Sequence, residues 1–279
     1  MKIENFEVIT KDGFLLHGKK WLTESVPKAI ICFQHGLAEH SDRYNHVADF
    51  FVQNDIALYS VDLRGHGKSE GKRGHTPSFN LLMNDCERML MEARKDHFSE
   101  PLILYGHSTG GNVVANFLCR KNTLEVSGAI LSAPWLKLAF EPPAFKVKLA
   151  KFASRIFPSF SQDNELDPTH LSKDESVVKA YVGDPLVHRK ISAKMFFECY
   201  NAGIYALDHA EKVSKPTLVM HGDDDKITSN SASKDFASAN TDHVEFKNWS
   251  GLRHEIHNEP EQAEVMDFAL KFIQEKILK

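Results

Sequence analysis

Cysteine is scarce in this chain, and no two cysteines stand close together. The four are Cys32, Cys86, Cys119 and Cys199. They lie inside apolar segments, without the close pairing of a zinc site or the density of a secreted disulfide scaffold. We therefore expect reduced cysteines in the core and no metal site.

The sequence also lacks a long hydrophobic run. Residues 1–7 alternate charged and apolar side chains instead of forming the apolar segment of a signal peptide, and no apolar run approaches bilayer-spanning length. We therefore expect a cytoplasmic protein that touches a membrane at most from outside, at its surface.

Positive charge is not in excess. The 34 Lys and Arg residues oppose 38 Asp and Glu residues, which gives a net charge of -4 and argues against a nucleic-acid partner. The 279 residues are 42% hydrophobic, which suits one large domain with an insertion.

Two apolar periodicities alternate along most of the chain. Strand patterns lie at 4–9, 15–21, 29–34, 56–62, 102–106, 128–132, 217–222 and 243–249. Helical patterns lie at 44–53, 79–95, 110–120, 229–239 and 259–278. A leading hairpin followed by strand–helix units predicts an α/β fold with a mostly parallel central sheet flanked by helices.

The alternation stops between residues 135 and 206, where the chain becomes helical and is interrupted by prolines. We interpret this segment as a helical cap inserted into a core domain formed by residues 1–134 and 207–279. The cap is apolar enough that we expect its large apolar side chains to cover something. They are Phe140, Phe145, Leu149, Phe152, Ile156, Phe157 and Phe160.

Ser108 is the candidate nucleophile. It is the centre of Gly-His-Ser-Thr-Gly at 106–110, directly after a strand pattern and directly before a helical one. A sharp strand–helix turn holds a serine hydroxyl away from the sheet, and its glycines avoid backbone collisions. Ser69 has the same glycine spacing, but no helical pattern follows it, so the context favours Ser108.

A serine hydroxyl needs a base to remove its proton and a carboxylate to orient that base. Three consecutive aspartates, Asp223, Asp224 and Asp225, follow the strand at 217–222. His254 and His257 follow the strand at 243–249. This order of serine, acid and histidine is that of the α/β-hydrolase fold. We favour Asp225 and His254, and the other two aspartates and His257 remain alternatives.

An oxyanion hole needs two backbone N–H groups aimed at the developing charge. Thr109, which follows the candidate nucleophile, supplies one. The other is expected from Leu37, in the loop after the strand at 29–34, with His35 bracing that loop. The glycine-rich loop at 62–69 matches neither nucleotide-binding fingerprint, and this chemistry needs no cofactor.

Five segments together resemble the monoglyceride lipase and lysophospholipase group of the α/β-hydrolases, and the likeness covers nearly the whole chain. They lie at 35–44, 62–69, 106–110, 221–227 and 251–256. The resemblance places the last aspartate of the run at the family's acid position. It also implies a cap that lines an acyl tunnel.

The resemblance further implies a small polar pocket for the glycerol end of a substrate. Glu39, Arg43 and His257 match residues that the family associates with this pocket. Glu39 and Arg43 have an alternative interpretation, as a structural ion pair that supports the oxyanion loop.

We therefore expect a serine hydrolase that cleaves esters of single acyl chains, with an acyl-glycerol or lysolipid as substrate. Monoacylglycerol, cleaved to glycerol and fatty acid, is the first candidate. The alternatives are a lysophospholipase, a broad carboxylesterase or thioesterase, a peptidase of the related aminopeptidase group, or a catalytically silent lipid-binding protein.

A basic amphipathic helix is predicted at 144–157. Its apolar side chains share one face and its bases another, and over 135–160 five bases oppose one acid, a local charge of about +4. Such a helix can lie at an anionic lipid surface. The alternative is that its apolar face packs against the rest of the cap and its bases are merely solvated.

Overall fold

A computed structural model describes residues 1–120 and 126–279. Eight strands form the central sheet: β1 (Lys2–Ile9), β2 (Leu15–Leu22), β3 (Ala29–Gln34), β4 (Ile56–Val61), β5 (Leu102–His107), β6 (Gly128–Ser132), β9 (Thr217–Gly222) and β10 (Val244–Trp249). Two short strands, β7 (Ser161–Asp163) and β8 (Lys190–Ser192), pair separately.

The helices lie between and around these strands. They are α1 (Asn45–Gln53), α2 (Phe79–Asp96), α3 (Thr109–Arg120), α4 (Ala144–Ile156), α5 (Glu175–Gly183), α6 (Ala193–Asp208), α7 (Asn230–Ser238) and α8 (Gln262–Phe272). A π-helical turn, Ile273–Ile277, continues α8.

The central sheet is parallel except at one end. Its order is β1-β2-β4-β3-β5-β6-β9-β10, and only β1 with β2 and β2 with β4 pair antiparallel. The inner strands β3, β4, β5, β6 and β9 are buried throughout, as expected for parallel strands covered on both faces. The predicted α/β fold is confirmed.

Each face of the sheet has its own core. Along β3, Ile30 and Cys32 point into one apolar cluster, while Ala29, Ile31 and Phe33 point into the other. Helices α2, α3, α6 and α7 cover the first face, and α1 and α8 cover the second. Because the strands are parallel, the loops that carry the predicted site all leave the same edge of the sheet.

The segment between β6 and β9 joins this core through α6. The side chain of Asn112 donates to the Cys199 carbonyl over 2.8 Å, and that of Asn116 donates to the Ala202 carbonyl over 2.9 Å. These buried bonds tie α6 to α3. The same helix continues to Asp208, two residues past the predicted boundary, and the short strands β7 and β8 were not predicted.

The large apolar side chains of the inserted segment, which the sequence leads us to expect to cover something, are exposed at the surface of the protein. Phe145, Leu149, Phe152 and Ile156 share one face of α4 and are 55–67% exposed. Phe140, Phe157 and Phe160 are also exposed. The reason is that α4 packs on α6 with its opposite face, where Val147 and Ala150 are half-buried and Ser154 is buried.

Candidate active site

Ser108 lies at the sharp turn between β5 and α3. Its backbone φ is +53°, in a left-handed conformation that costs a non-glycine residue about 1–3 kcal/mol and recurs at active sites. A Cβ on Gly106 would collide with the Gly110 carbonyl oxygen, and a Cβ on Gly110 would collide with the Gln34 carbonyl oxygen. The two glycines therefore permit the turn that presents the Ser108 hydroxyl.

Asp225, after β9, and His254, after β10, meet at the same edge of the sheet. Both are buried, and His254 Nδ1–H donates to Asp225 Oδ2 over 2.7 Å. Burial alone would raise the pKa of Asp225, but His254 and His221 hold that pKa well below its usual range. Burial alone would lower the pKa of His254, but Asp225 raises it. This pairing leaves His254 Nε2 to accept a proton.

His254 also lies against the strand that carries Ser108. Its ring centroid is 4.8 Å from that of His107. Over residues 1–120 and 126–279 the structure assigns no hydrogen bond between Ser108 Oγ and His254. In free hydrolases this bond is often long and tightens in the substrate complex.

The other two aspartates of the run make different contacts. Asp223 accepts from the Gly251 N–H over 2.6 Å, and Asp224 lies 2.7 Å from Lys226 Nζ. Neither carboxylate is assigned a bond to His254 in the described part of the chain. Asp223 therefore braces the loop after β10, and Asp224 forms a surface ion pair.

The loop after β3 is held by His35. His35 Nδ1–H donates to the Gly36 carbonyl over 2.8 Å, and His35 Nε2 accepts from the Leu63 N–H over 2.8 Å. Among the described residues, neither the Leu37 N–H nor the Thr109 N–H is assigned a partner. These two amides are thus available to an oxyanion.

Glu39 supports the same loop. Its Oε1 accepts from the Gly36 N–H and the Tyr44 hydroxyl, both over 2.6 Å, and its Oε2 accepts from Arg43 over 2.5 Å. Arg43 also forms a bidentate pair with Glu255 at 2.7 and 2.8 Å. Glu39 and Arg43 are therefore bonded within the protein, which matches the ion-pair interpretation.

His257 is buried beside this ion pair. Burial lowers the pKa of its imidazole to about 3. Its ring centroid lies 5.0 Å from that of Tyr44 and 4.7 Å from that of His107. Neither ring nitrogen has a hydrogen-bond partner within the described residues. His257 therefore has an unused donor and an unused acceptor close to the candidate nucleophile.

Comparison with known proteins identifies the family. A family model described as serine aminopeptidase, S33 (Hydrolase_4) matches residues 25–261. The chain is 33% identical over 255 residues to a monoacylglycerol lipase of Mycolicibacterium smegmatis, covering 91% of this chain and 90% of that protein. The chain belongs to the Hydrolase_4 family of α/β-hydrolases, in its monoglyceride lipase group.

Two further comparisons agree with this assignment. An uncharacterized abhydrolase domain-containing protein of Dictyostelium discoideum is 34% identical over 97% of the chain, which spans 29% of that protein. A monoacylglycerol lipase structure from Paleococcus ferrophilus superposes with a TM-score of 0.83 at 31% identity, covering 92% of this chain and 98% of that one. The chain is a carboxylic ester hydrolase, as its sequence predicts.

Ser69, the other glycine-flanked serine of this hydrolase, is fixed in a loop. Its hydroxyl donates to the Asp62 carbonyl over 2.6 Å and accepts from the His17 N–H over 2.9 Å. The hydroxyl thus donates to one backbone group and accepts from another, so Ser69 stabilises the loop after β4.

Three residues that contact the site were not predicted from the sequence. The Thr228 hydroxyl donates to Asp225 Oδ2 over 2.8 Å, His221 Nε2 lies 2.9 Å from the same oxygen, and Glu255 holds Arg43. Thr228 and His221 lie within four residues of Asp225, so proximity to the acid was the only available signal.

None of the helices in the described residues combines the length and the apolar character that crossing a bilayer requires.

Proposed function

We propose that this hydrolase cleaves monoacylglycerol to glycerol and a fatty acid, with Ser108, His254 and Asp225 as its catalytic triad. The observation that carries the proposal is the buried Asp225–His254 hydrogen bond at the edge where the strained Ser108 turn emerges. The monoglyceride lipase group supplies the substrate class.

The reaction follows from the hydrogen bonds of the site. Ser108 Oγ attacks the ester carbonyl carbon while His254 Nε2 takes its proton, and Asp225 stabilises the imidazolium. The Leu37 and Thr109 N–H groups bind the oxyanion. His254 then protonates the departing glycerol oxygen, and a water molecule, deprotonated by the same nitrogen, releases the fatty acid from Ser108.

The glycerol end of the substrate is proposed to contact His257. Glu39 and Arg43 contribute to this polar pocket through the loops they hold, because their polar atoms are engaged with each other, Glu255 and Gly36. Both ring nitrogens of His257 are buried and lack a partner among the described residues, so a substrate hydroxyl that enters the pocket would find them unpaired. A neutral imidazole can donate to one hydroxyl and accept from another.

The exposed face of α4 is proposed to rest on an anionic lipid surface. Its four apolar side chains share one face, and Lys148, Lys151 and Arg155 flank that face. An apolar stripe flanked by bases is the arrangement of helices that lie in the plane of an interface. Contact of this kind would bring an insoluble lipid substrate to the enzyme.

A surface pocket that reaches Phe160, four residues after the end of α4, adds positive charge. The pocket is open to solvent, has a volume of about 470 Å³ and is lined by Lys72, Arg73, Lys190, Ser161 and the exposed Phe160. No ion pair is assigned to its three bases in the described part of the protein. Lipid phosphates near Phe160 would be attracted to this charge.

A matched ester panel tests the substrate proposal. The panel contains a monoacylglycerol, the methyl ester of the same fatty acid and the lysophosphatidylcholine with the same acyl chain. We expect the highest kcat/KM for the monoacylglycerol. His257→Ala should lower kcat/KM for the glyceryl ester and leave the methyl ester nearly unchanged.

Other outcomes of the panel contradict the proposal in distinguishable ways. Faster turnover of the lysophospholipid would make the enzyme a lysophospholipase, and binding without turnover of any ester would indicate a lipid-binding protein. Equal losses on the glyceryl and methyl esters in His257→Ala would place His257 in the chemistry instead of the polar pocket.

A further inference from the structure

A second histidine contacts the carboxylate that orients His254. His221, near the carboxyl end of β9, is fully buried, and its Nε2 lies 2.9 Å from Asp225 Oδ2. That oxygen also accepts from His254 Nδ1 over 2.7 Å and from the Thr228 hydroxyl over 2.8 Å. The triad described above uses only the His254 bond.

The second carboxylate oxygen is bound as well. Asp225 Oδ1 accepts from the backbone N–H groups of Ile227 and Thr228 over 2.7 and 3.0 Å. Together, Oδ1 and Oδ2 accept five hydrogen bonds. Two of the three donors on Oδ2 are imidazoles, those of His221 and His254.

The hydrogen bonds define which nitrogen of His221 carries a proton. An ionised carboxylate can only accept, so a bond to Asp225 requires a proton on His221 Nε2. His221 Nδ1 lies 2.8 Å from the hydroxyl of Ser233, on α7. Ser233 thereby holds the far side of the ring and keeps Nε2 aimed at Asp225.

We propose that His221 is a positioning residue of the reaction, whose Nε2–H fixes the Asp225 carboxylate in the orientation that His254 needs. This inference rests on the proposed function, because it concerns the same carboxylate. His221 acts through Asp225 and does not touch the ester. A hydrogen bond to a charged group is stronger than one between neutral groups, so this donor biases the carboxylate strongly.

Loss of this donor changes His254 in two ways. The carboxylate loses one of the bonds that fix it, so it holds the His254 ring less precisely and the proton transfer slows. The remaining negative charge on Oδ2 is also shared by fewer donors, so it interacts more strongly with protonated His254 and raises the pKa of that imidazole. The acid limb of the pH profile, where kcat/KM rises as His254 loses its proton, should therefore move to higher pH.

The other groups that act on His254 stay in place when His221 changes. The titratable and charged groups that surround it are Asp225, His107, His257, Glu255, Glu39 and Arg43. His221 has no hydrogen bond to the last five in the described chain. A shift of the acid limb would therefore report on the contact between His221 and Asp225.

The experiment compares His221→Leu, His221→Gln and Ser233→Ala in the full chain, with a soluble short-chain ester. We expect His221→Leu to lower kcat roughly 10- to 100-fold, the equivalent of one hydrogen bond to a charged group. KM should be unchanged and the acid limb should move up. His221→Gln places an amide N–H near Nε2 and should restore most of kcat. Ser233→Ala should show a smaller loss of the same kind.

Two results would overturn the proposal. One is a folded His221→Leu enzyme with the wild-type kcat and acid limb. The other is equal impairment of His221→Leu and His221→Gln, which would assign His221 to packing alone. If His221→Leu does not fold, His221→Gln and Ser233→Ala still test it through their kcat and acid limbs. Failure of the proposed function is a separate result, because it would leave Ser108→Ala active.

Discussion

At the scale of single residues, neighbouring aspartates of one run differ in the donors around them. Asp225 is buried and accepts from five donors, whereas Asp224 sits at the surface against Lys226. Only a carboxylate that faces the ring nitrogen of His254 can select its tautomer and stabilise its protonated form. Asp224 and Asp225 are therefore adjacent residues of one type, but Asp225 is placed to orient His254 and Asp224 is not.

Replacement of the aspartates by asparagine tests this difference. Asp225→Asn should lower kcat on the order of 10⁴-fold, because an amide in place of the carboxylate favours the wrong tautomer of the histidine. Asp224→Asn, the matched control, should retain nearly wild-type kcat. The measurement is initial turnover of a soluble ester at saturating concentration. Comparable losses in both variants would contradict the assignment of the acid.

Because His257 is buried, we expect it to make the free energy of unfolding fall at acid pH. Its pKa of about 3 in the fold lies below the value of about 6.5 for a free imidazole. The contribution of this lowered pKa to the free energy of unfolding is complete above pH 6.5 and is lost as the pH falls toward 3. Between pH 7.5 and 5.0 this one group should remove about 2 kcal/mol from the free energy of unfolding.

The test is urea unfolding at pH 7.5 and pH 5.0. His257→Phe keeps an aromatic ring at this position and should lose about 2 kcal/mol less than the wild type over that interval. His243→Phe, at an exposed position, should keep the wild-type difference. An unchanged pH dependence in His257→Phe would show that His257 does not titrate as a buried group.

At the scale of residues, what can be predicted from the sequence depends on how far apart the contacting residues lie along the chain. The turn at Ser108 could be predicted because it is a local event with a glycine on each side. The ion pair between Arg43 and Glu255 joins residues 212 positions apart, so no local pattern indicates it. His221 and Thr228 are close in sequence to Asp225, but only the folded loop directs both toward one oxygen.

At the scale of elements, α4 shows what a periodicity can and cannot predict. The helix and its separation of apolar and basic faces were predicted from residue spacing. Which face packs depends on the neighbour: small side chains let α4 approach α6 closely, so Val147, Ala150 and Ser154 face the protein. The larger apolar residues are left in solvent.

Charge reversal tests the interfacial role of this element. Lys148→Glu with Lys151→Glu should weaken binding to anionic vesicles at low salt on the order of 100-fold or more, because each base near the surface contributes about 1 kcal/mol. Turnover of dispersed lipid should fall and turnover of a soluble ester should not. The measurement is vesicle sedimentation with parallel rate assays.

The control is a second double variant with the same net charge as the Lys148→Glu and Lys151→Glu protein. Lys234→Glu with Lys276→Glu changes exposed lysines on α7 and near the carboxyl terminus and should bind nearly as wild type. If wild-type protein does not sediment with anionic vesicles at low salt, α4 has no interfacial role. Equal weakening in both double variants would indicate a nonspecific charge effect.

At the scale of the whole molecule, the sheet assembles a site from distant segments. Ser108, Asp225 and His254 follow β5, β9 and β10, and the loop that carries Leu37 follows β3. All of these strands run in the same direction, so their loops meet at one edge. All eight strands of the sheet were predicted, and the inner ones were recognisable because buried parallel strands are nearly continuous apolar runs.

The internal arrangement of the inserted segment was harder to predict from the sequence. Its elements pack on one another instead of following the regular strand–helix alternation. The strands β7 and β8 have three residues each, which is too short for a period-2 pattern to stand out. Prolines and apolar content indicated an insertion but not its internal arrangement.

The rate of monoacylglycerol hydrolysis by Ser108→Ala, beside Ser69→Ala, tests the central claim most directly. We expect Ser108→Ala to remain folded and lose on the order of 10⁴- to 10⁶-fold in rate, as removal of a triad member does. Ser69→Ala should retain most of its activity if its loop stays folded. An active Ser108→Ala enzyme beside a folded but inactive Ser69→Ala enzyme would contradict the account.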